Sequence, residues 1–276
     1  MSIESSNDPR GFAEFEHDAW ETVSRGYEEH FARLTRQSVE AILNAAEVGS
    51  GKQVLDACCG PGMITAAAIA RGASTTGIDF SAAAVEIATV NAPGADIKEG
   101  DVQSIESDDD IFDAVVCGFG IIHVPDPLKA LSEMRRVLKP GGRIAVSTWE
   151  APGPANGFGL LFGSIKANAD MDLDLPHGPD FFQFSNAEKM SSALREAGFE
   201  DPAVSTVNQT WEFGDSHGFI TGIIEGSARA RAIITSQTDA VQSAIADAVA
   251  AGMHAYKSSD GVYRLPMPAL IGSAIK

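Results

Sequence analysis

The sequence predicts an α/β fold built on a doubly wound, mostly parallel sheet. Three observations predict it. From Gln53 to Trp149, short apolar runs rich in β-branched residues alternate with helix-like runs. The apolar runs are nearly continuous, as in strands covered on both faces. The first of them, within VLDACCGPG (residues 54–62), carries one acid, Asp56, and ends in a turn built on Gly60, Pro61 and Gly62. A glycine turn between a strand and a helix N-terminus suits a nucleoside-containing ligand.

The elements follow in order. Residues 1–11 are polar and expected to fray. Phe12 to Ser24 places Phe12, Phe15, Ala19, Trp20 and Val23 at helical spacing. Thr35 to Val48 does the same with Val39, Ile42, Leu43 and Ala46, before Gly49-Ser50-Gly51 breaks the chain. Residues 53–57 read as a strand, 63–71 as a helix closed by Gly72, and 74–79 as a second strand. Ser81 caps a helix that runs to Asn91 and stops at Pro93-Gly94. Strands follow at 96–99 and 113–119. Asp126-Pro127 is an N-cap and first-turn pair for a helix presenting Leu128, Leu131, Met134 and Leu138. Lys139-Pro140-Gly141-Gly142 ends that helix, and 143–149 is the next strand.

Beyond Trp149 the pattern changes. Residues 151–184 are rich in Gly, Pro and Phe without a clean period, and a loop of that length is expected to be functional. Residues 186–197 form a helix ended by Gly198. Val207, Gln209, Trp211 and Phe213 alternate as one strand. Residues 215–252 are helical in pieces, the last at 239–251. YRLPMPALIGSAI is a final strand whose early part Pro266 and Pro268 confine to an edge or irregular position.

Bulk properties narrow the partners. The chain has 276 residues, 44% hydrophobic and 21% charged, enough for one well-buried domain with additions. The formal charge of −18 repels nucleic acid backbones and anionic lipid, so neither is an expected partner. No apolar run is long enough to span a membrane, and the N-terminus shows no signal peptide. Cys58, Cys59 and Cys117 lack metal-binding spacing and read as buried free thiols, which suits the cytoplasm. No metal is expected.

Three motifs point to the ligand. A dinucleotide fingerprint would need a glycine where Thr65 stands, and it has no acid at the position of Asp56. Asp79, in TGIDFS, ends the second strand at ribose distance from the glycine turn, where a carboxylate accepts from both ribose hydroxyls. A helix cap is the alternative role for Asp79, although Ser81 already supplies one. In EGDVQS, Asp101 can accept from an adenine amino group while the Val102 N–H donates to a ring nitrogen; a solvated turn is the alternative for Asp101.

With these motifs in order, residues 53–149 resemble a class I S-adenosylmethionine-dependent methyltransferase. FDAVVCGFGIIHVPDP is similar to that family's fourth strand and loop, and ALSEMRRVLKPGGRIAVSTW to its fifth helix and strand. The likeness is nearest to the small-molecule group that includes quinone-methylating enzymes. It implies a Rossmann-like sheet of seven strands with an antiparallel last strand, N-terminal helices, and a helical insert before that last strand. It implies one domain over 1–276, with a helical cover at 12–48 and a cofactor core at 53–149. Residues 150–185 and 215–252 are then acceptor-site or lid elements, and the insert is a lid, a dimer surface, or both.

The resemblance also assigns roles. Asp56 and the backbone of Cys58, Cys59 and Gly60 hold the amino acid end of S-adenosylmethionine, beside Met63, and Gly62 permits close approach. Asp79 binds the ribose, Phe80 packs near the adenine, and Asp101 and Val102 read the adenine edge. Gly118 and Phe119 line the methionine amino group, and Tyr27 closes over the cofactor. Two adjacent cysteines are a mild departure from the usual pattern.

The expected reaction is in-line methyl transfer to O, N or C of a small-molecule acceptor, with S-adenosylhomocysteine as product. His123, beside the pocket, is either a general base or a structural histidine bonded to the loop before Pro125. Trp149, Phe158, Phe162, Phe181, Phe182 and Phe184 form either an apolar acceptor pocket or a satellite core. His17, His30, His177, His217 and His254 are expected at surface or loop positions. Competing readings are a regulatory module without turnover and a nicotinamide-dependent oxidoreductase. The intact carboxylate set weighs against the first, and the missing third glycine against the second.

Overall fold

The computed structural model describes residues 9–276. Most of the segment expected to fray lies outside the described residues; its last part opens the first helix, α1 (Pro9–Gly26). The main sheet comprises β1 (Gln53–Ala57), β2 (Ser74–Asp79), β3 (Asp96–Glu99), β4 (Phe112–Gly118), β5 (Leu138–Trp149), β6 (Glu200–Val207) and β9 (Ala269–Ile275). Their order is β3-β2-β1-β4-β5-β9-β6. The first five are parallel, and β9 runs antiparallel between β5 and β6.

Alternate residues of the central strands feed two cores, which explains their continuous apolar character. Val54, Val116 and Ala145 pack with α3 (Val39–Ala45) and α4 (Met63–Ala70). Leu55, Val115, Ile144 and Val146 join the other core. There they meet α6 (Pro127–Val137) through Leu131 and Met134, and α8 (Ala187–Glu196) through Met190 and Leu194. Ser81 caps α5 (Ala82–Asn91) by accepting from the Ala84 N–H at 3.2 Å, and Asp126 caps α6 through the Lys129 N–H at 3.0 Å.

Four readings are corrected. First, residues 151–184 are no featureless loop: α7 (Gly157–Asn168) occupies their middle. Its glycines lower helix propensity and hide the period, yet packing requires one of them. A Cβ at Gly159 would overlap the Gly153 carbonyl oxygen, where Asn156 accepts from both the Gly153 and Gly159 N–H groups at 3.1 and 3.0 Å. Second, the alternation at 207–213 spans two sheets. Val207 ends β6, an edge strand, whereas Trp211 and Phe213 lie in β7 (Thr210–Phe213), paired only with β8 (Tyr263–Pro266). Third, Lys139–Gly142 lies inside β5 as a register break against β4. Fourth, the two N-terminal helices are joined by a π-helical turn (Tyr27–Phe31) and a short helix, α2 (Ala32–Thr35). In the turn before β4, Asp109 pairs with Arg136 and Asp110 with Lys276.

The N-terminal helices are tied to both sheets. Glu21 on α1 accepts from the Ala83 N–H at the start of α5, at 3.3 Å. Buried Gln209 donates to the Leu34 carbonyl and the Ser38 hydroxyl, at 3.0 and 2.7 Å. Helices α9 (Gly218–Gly226), α10 (Arg229–Thr235) and α11 (Asp239–Met253) form the insert, packed on the π turn and α7. Among the described residues no helix is long and apolar enough to cross a membrane.

The Gly159 contact yields a stability test. Gly159→Ala should lower the urea midpoint by an amount equivalent to about 1–3 kcal/mol, the range for overpacking a tight site. An unchanged midpoint would show that the 151–156 turn moves aside freely.

Candidate functional site

The order of the sheet reverses between β1 and β4, and ligands of open α/β sheets bind at such a crevice. The residues that follow these two strands, Cys58 and Phe119, have φ of 61° and 60°. Left-handed backbone at side-chain-bearing residues costs about 1–3 kcal/mol each and clusters at functional sites. Both line a cavity of about 930 Å³.

One half of this cavity is formed by the loops after β1, β2, β3 and β4. Cys58, Cys59, Gly60, Met63, Asp79, Phe80, Asp101, Val102, Gly118 and Phe119 all line it, and Tyr27 reaches it from the π turn. Asp56 and Gly62 do not. Asp56 is buried, accepts from the Thr65 hydroxyl at 2.6 Å, and has one oxygen without a partner. Gly62, at φ 81°, makes its close approach to Ala88 of α5, where a Cβ would sit 3.1 Å from the Ala88 Cα.

Asp79 organises this half. Its two oxygens accept from the Gly60 N–H at 2.8 Å and the Ser81 N–H at 3.1 Å. Burial still raises its pKa, against those bonds and the nearby His123. The hydrogen bond with Cys117, and then burial, raise the Cys58 thiol, and burial raises Cys59, so neither is an activated thiolate. Asp101 lines the cavity as an exposed turn residue that accepts from the Gln103 N–H at 2.8 Å. The phenol of Tyr27 is pushed up to about 12 by burial and donates to Thr35 at 3.3 Å.

The other half is aromatic. Phe119 stacks on Trp149 with centroids 4.2 Å apart, Trp149 meets Phe158 at 5.4 Å, and Phe158 meets Phe182 at 5.4 Å. Phe162 and Phe181 also line the cavity, whereas Phe184 is buried away from it. His123 lies among these rings, 5.6 Å from Phe181 and 4.9 Å from Trp20. It is not bonded to the backbone before Pro125: its Nδ1 is 2.9 Å from Glu16 Oε2 on α1. The indole N–H of Trp20 donates to the same oxygen at 3.2 Å. His177, in an exposed loop as expected, and His17 on α1 also line the cavity, and His30 pairs with Glu225.

A sequence family described as "Methyltransferase domain" matches residues 55–146. Demethylmenaquinone methyltransferase of Staphylococcus epidermidis is 35% identical over 210 residues, covering 67% of this chain and 85% of that protein. The chain belongs to the class I S-adenosylmethionine-dependent methyltransferases. Ubiquinone biosynthesis O-methyltransferase of Alkalilimnicola ehrlichii is 35% identical over 153 residues, covering 53% of the methyltransferase and 60% of that relative. The fold is also that of phosphoethanolamine N-methyltransferase 2 of Haemonchus contortus, with a TM-score of 0.57, 18% identity, and coverage of 96% and 60%. The YcgJ protein of Bacillus subtilis gives 0.55 at 18% identity, over 87% and 97%.

The methyltransferase transfers the methyl group of S-adenosylmethionine to a small molecule and releases S-adenosylhomocysteine; the oxidoreductase and non-catalytic readings fall away. Its cavity suits a cationic cofactor. Glu14, Glu16, Asp18, Asp79 and Asp101 line it, and Arg229 is the one Lys or Arg among the described lining residues. Such a site favours a sulfonium and disfavours a pyrophosphate. Glu16 and Arg229 escaped the sequence analysis because nothing near them in sequence is a motif. The face shared by Phe12, Glu16, Trp20 and Tyr27 at spacings of four, four and seven was the one available signal.

Burial gives Asp56 a consequence for stability, since its pKa rises from 3.8 to about 7 in the fold. The unfolded chain loses this proton first as pH rises, so the folded state binds more protons across that interval. Stability contributed by this site is present below pH 3.8 and is lost between 3.8 and about 7. Asp56→Asn should remove this component and flatten the dependence of the unfolding midpoint on pH, read by thermal denaturation. A wild type whose midpoint rises through this interval in parallel with the variant would sink the assignment.

Proposed function

We propose that the acceptor is a small aromatic molecule of quinol or phenol type. The chain of rings from Phe119 to Phe182 carries this reading. It begins at the residue that flanks the cofactor loops, and Phe181, which meets both Phe158 and Phe182, links it to His123. A flat ring in such a pocket gains offset-stacked and edge-on contacts, and the reacting atom is held with little freedom. The names of two relatives, which refer to menaquinone and ubiquinone, support the same class.

In this reading Asp79 accepts from the ribose hydroxyls, Phe80 packs on the adenine, and Asp101 with the Val102 N–H reads the adenine edge. The backbone at Cys58, Cys59, Gly60 and Gly118, with Met63 and Phe119, holds the amino acid end. Asp56 acts one layer back, through its bond to Thr65 on α4. Tyr27 and the rest of residues 12–48 cover the cofactor. Residues 150–185 and 215–252 supply the acceptor pocket and its lid, with Trp149 at the pocket's base. The bound cofactor supplies an electrophilic methyl group on sulfur. Alignment of the acceptor can contribute several of the roughly 7–11 kcal/mol available from orientation. His123 takes a proton from the acceptor where the nucleophile is a neutral hydroxyl. The single domain over 1–276 works in the cytoplasm, and the insert is available as a dimer surface.

Calorimetry tests the cofactor site. S-adenosylmethionine and S-adenosylhomocysteine should bind, NAD should not, and Asp79→Ala should weaken both sulfur compounds by about 10- to 100-fold through loss of charged acceptor bonds. Undiminished affinity would remove Asp79 from the site. For the acceptor half, Phe158→Ala should raise KM for a dihydroxynaphthalene far more than it changes cofactor affinity, and equal losses of both would place the rings in a satellite core instead.

A further inference from the structure

We propose that Glu16 is a positioning residue for the reaction: it holds His123 in the tautomer that accepts a proton from a neutral ring hydroxyl of the acceptor. The inference rests on the acceptor reading above and extends it to the ionisation state of the nucleophile. Glu16 is 2% exposed and lies on α1, far in sequence from the loop it touches. One of its oxygens receives two groups, His123 Nδ1 at 2.9 Å and the Trp20 indole N–H at 3.2 Å. An oxygen accepting from an indole acts as an acceptor there, so the proton of the shared bond sits on Nδ1. Nε2 then carries the lone pair, and no protein group among the described residues bonds to it. The rings of Trp20 and Phe181 stand edge-on to the imidazole and leave it little freedom to turn.

The step balances. The hydroxyl proton passes to Nε2 as the acceptor's nucleophilic atom bonds to the methyl carbon, and the methyl–sulfur bond pair stays on sulfur. That atom is the oxygen, or the adjacent ring carbon; in the second case the methylated carbon then gives up its own hydrogen as a proton and the ring carbonyl oxygen regains one, restoring the aromatic ring. A sulfonium cation is thereby replaced by an imidazolium, and Glu16 stabilises the imidazolium. An acceptor already ionised at neutral pH needs no such base. The arrangement therefore selects against nothing in shape but accelerates only hydroxyls that are neutral when they bind.

The charged groups around the imidazole are Glu16 on α1, Asp79 at the end of β2, and Arg229 on α10, which acts on Glu16. Only the first is removed in Glu16→Gln, so a shift in that variant reports on Glu16.

The experiment is nitrogen-15 NMR of the imidazoles with S-adenosylhomocysteine bound, in wild type and Glu16→Gln, with His123→Gln for assignment. The expected result is an Nδ1–H, Nε2-unprotonated ring at neutral pH, and a His123 titration midpoint that moves to lower pH in Glu16→Gln. Kinetics should follow. With a dihydroxynaphthalene, neutral at pH 7, Glu16→Gln should lower kcat by about 100-fold with KM little changed, and Glu16→Asp should recover part of the loss. The acid limb of the pH profile should move by the same amount as the NMR midpoint. With 2-hydroxy-1,4-naphthoquinone, ionised at pH 7, the two proteins should differ by less than about twofold. An Nε2–H tautomer, or an unmoved midpoint, would overturn the proposal and leave Glu16 as a latch between α1 and the core. If Glu16→Gln fails to bind S-adenosylhomocysteine, the same tautomer measurement on wild type and Glu16→Asp decides the matter. Cofactor binding without turnover of either naphthalene would overturn the acceptor class proposed above, while the tautomer would still judge Glu16.

Discussion

Asp79 is the interaction on which the site depends. A buried carboxylate with two backbone N–H donors ties the glycine turn after β1 to the end of β2 and the start of α5. The glycine turn and the β2–α5 junction come from different strands, and the bonds set their separation. The same carboxylate also faces the cavity. Its elevated pKa shows that the backbone donors leave its burial undercompensated, and donors from a bound sugar would complete the set. In the role proposed for Asp79, structure and binding draw on one group, and the turn is preorganised before the cofactor arrives.

The remaining wall is not part of the sheet. Helix α1 brings Glu16 and Trp20 to the cavity, and the π turn brings Tyr27. The attachments of this wall are apolar as well as polar: Phe12, Val23, Phe31 and Leu34 are buried, beside the bonds from the Ala83 N–H to Glu21, from Gln209 to Leu34 and Ser38, and between Glu16 and His123.

Legibility in the sequence followed the range of the forces involved. Strands β1, β2 and β3 and the capped helices α5 and α6 announce themselves through local chemistry: Ser81, Asp126-Pro127, a continuous apolar run. Asp79, Asp101 and Phe119 were legible because their chemistry is local to strand ends. Helix α7 was not, since its glycines obey a contact with Gly153 and not helix propensity. The split at Gln209 was missed because one alternation pattern runs through two sheets without a break. Glu16 could not be recognised as part of the site from its neighbours, because its partner lies 107 residues away.

The place of β9 has a consequence in time. This strand, near the end of the chain, is an interior member of the sheet, and β6 is held to the sheet through it alone. During synthesis β1 to β5 can pair as they emerge, but β6 must wait as an unpaired, half-exposed strand until residues 269–275 arrive. Long-range pairing of this kind slows folding and leaves an open edge in the interim. Exposed Glu200 and Asp201 at the head of β6 guard that edge while it waits.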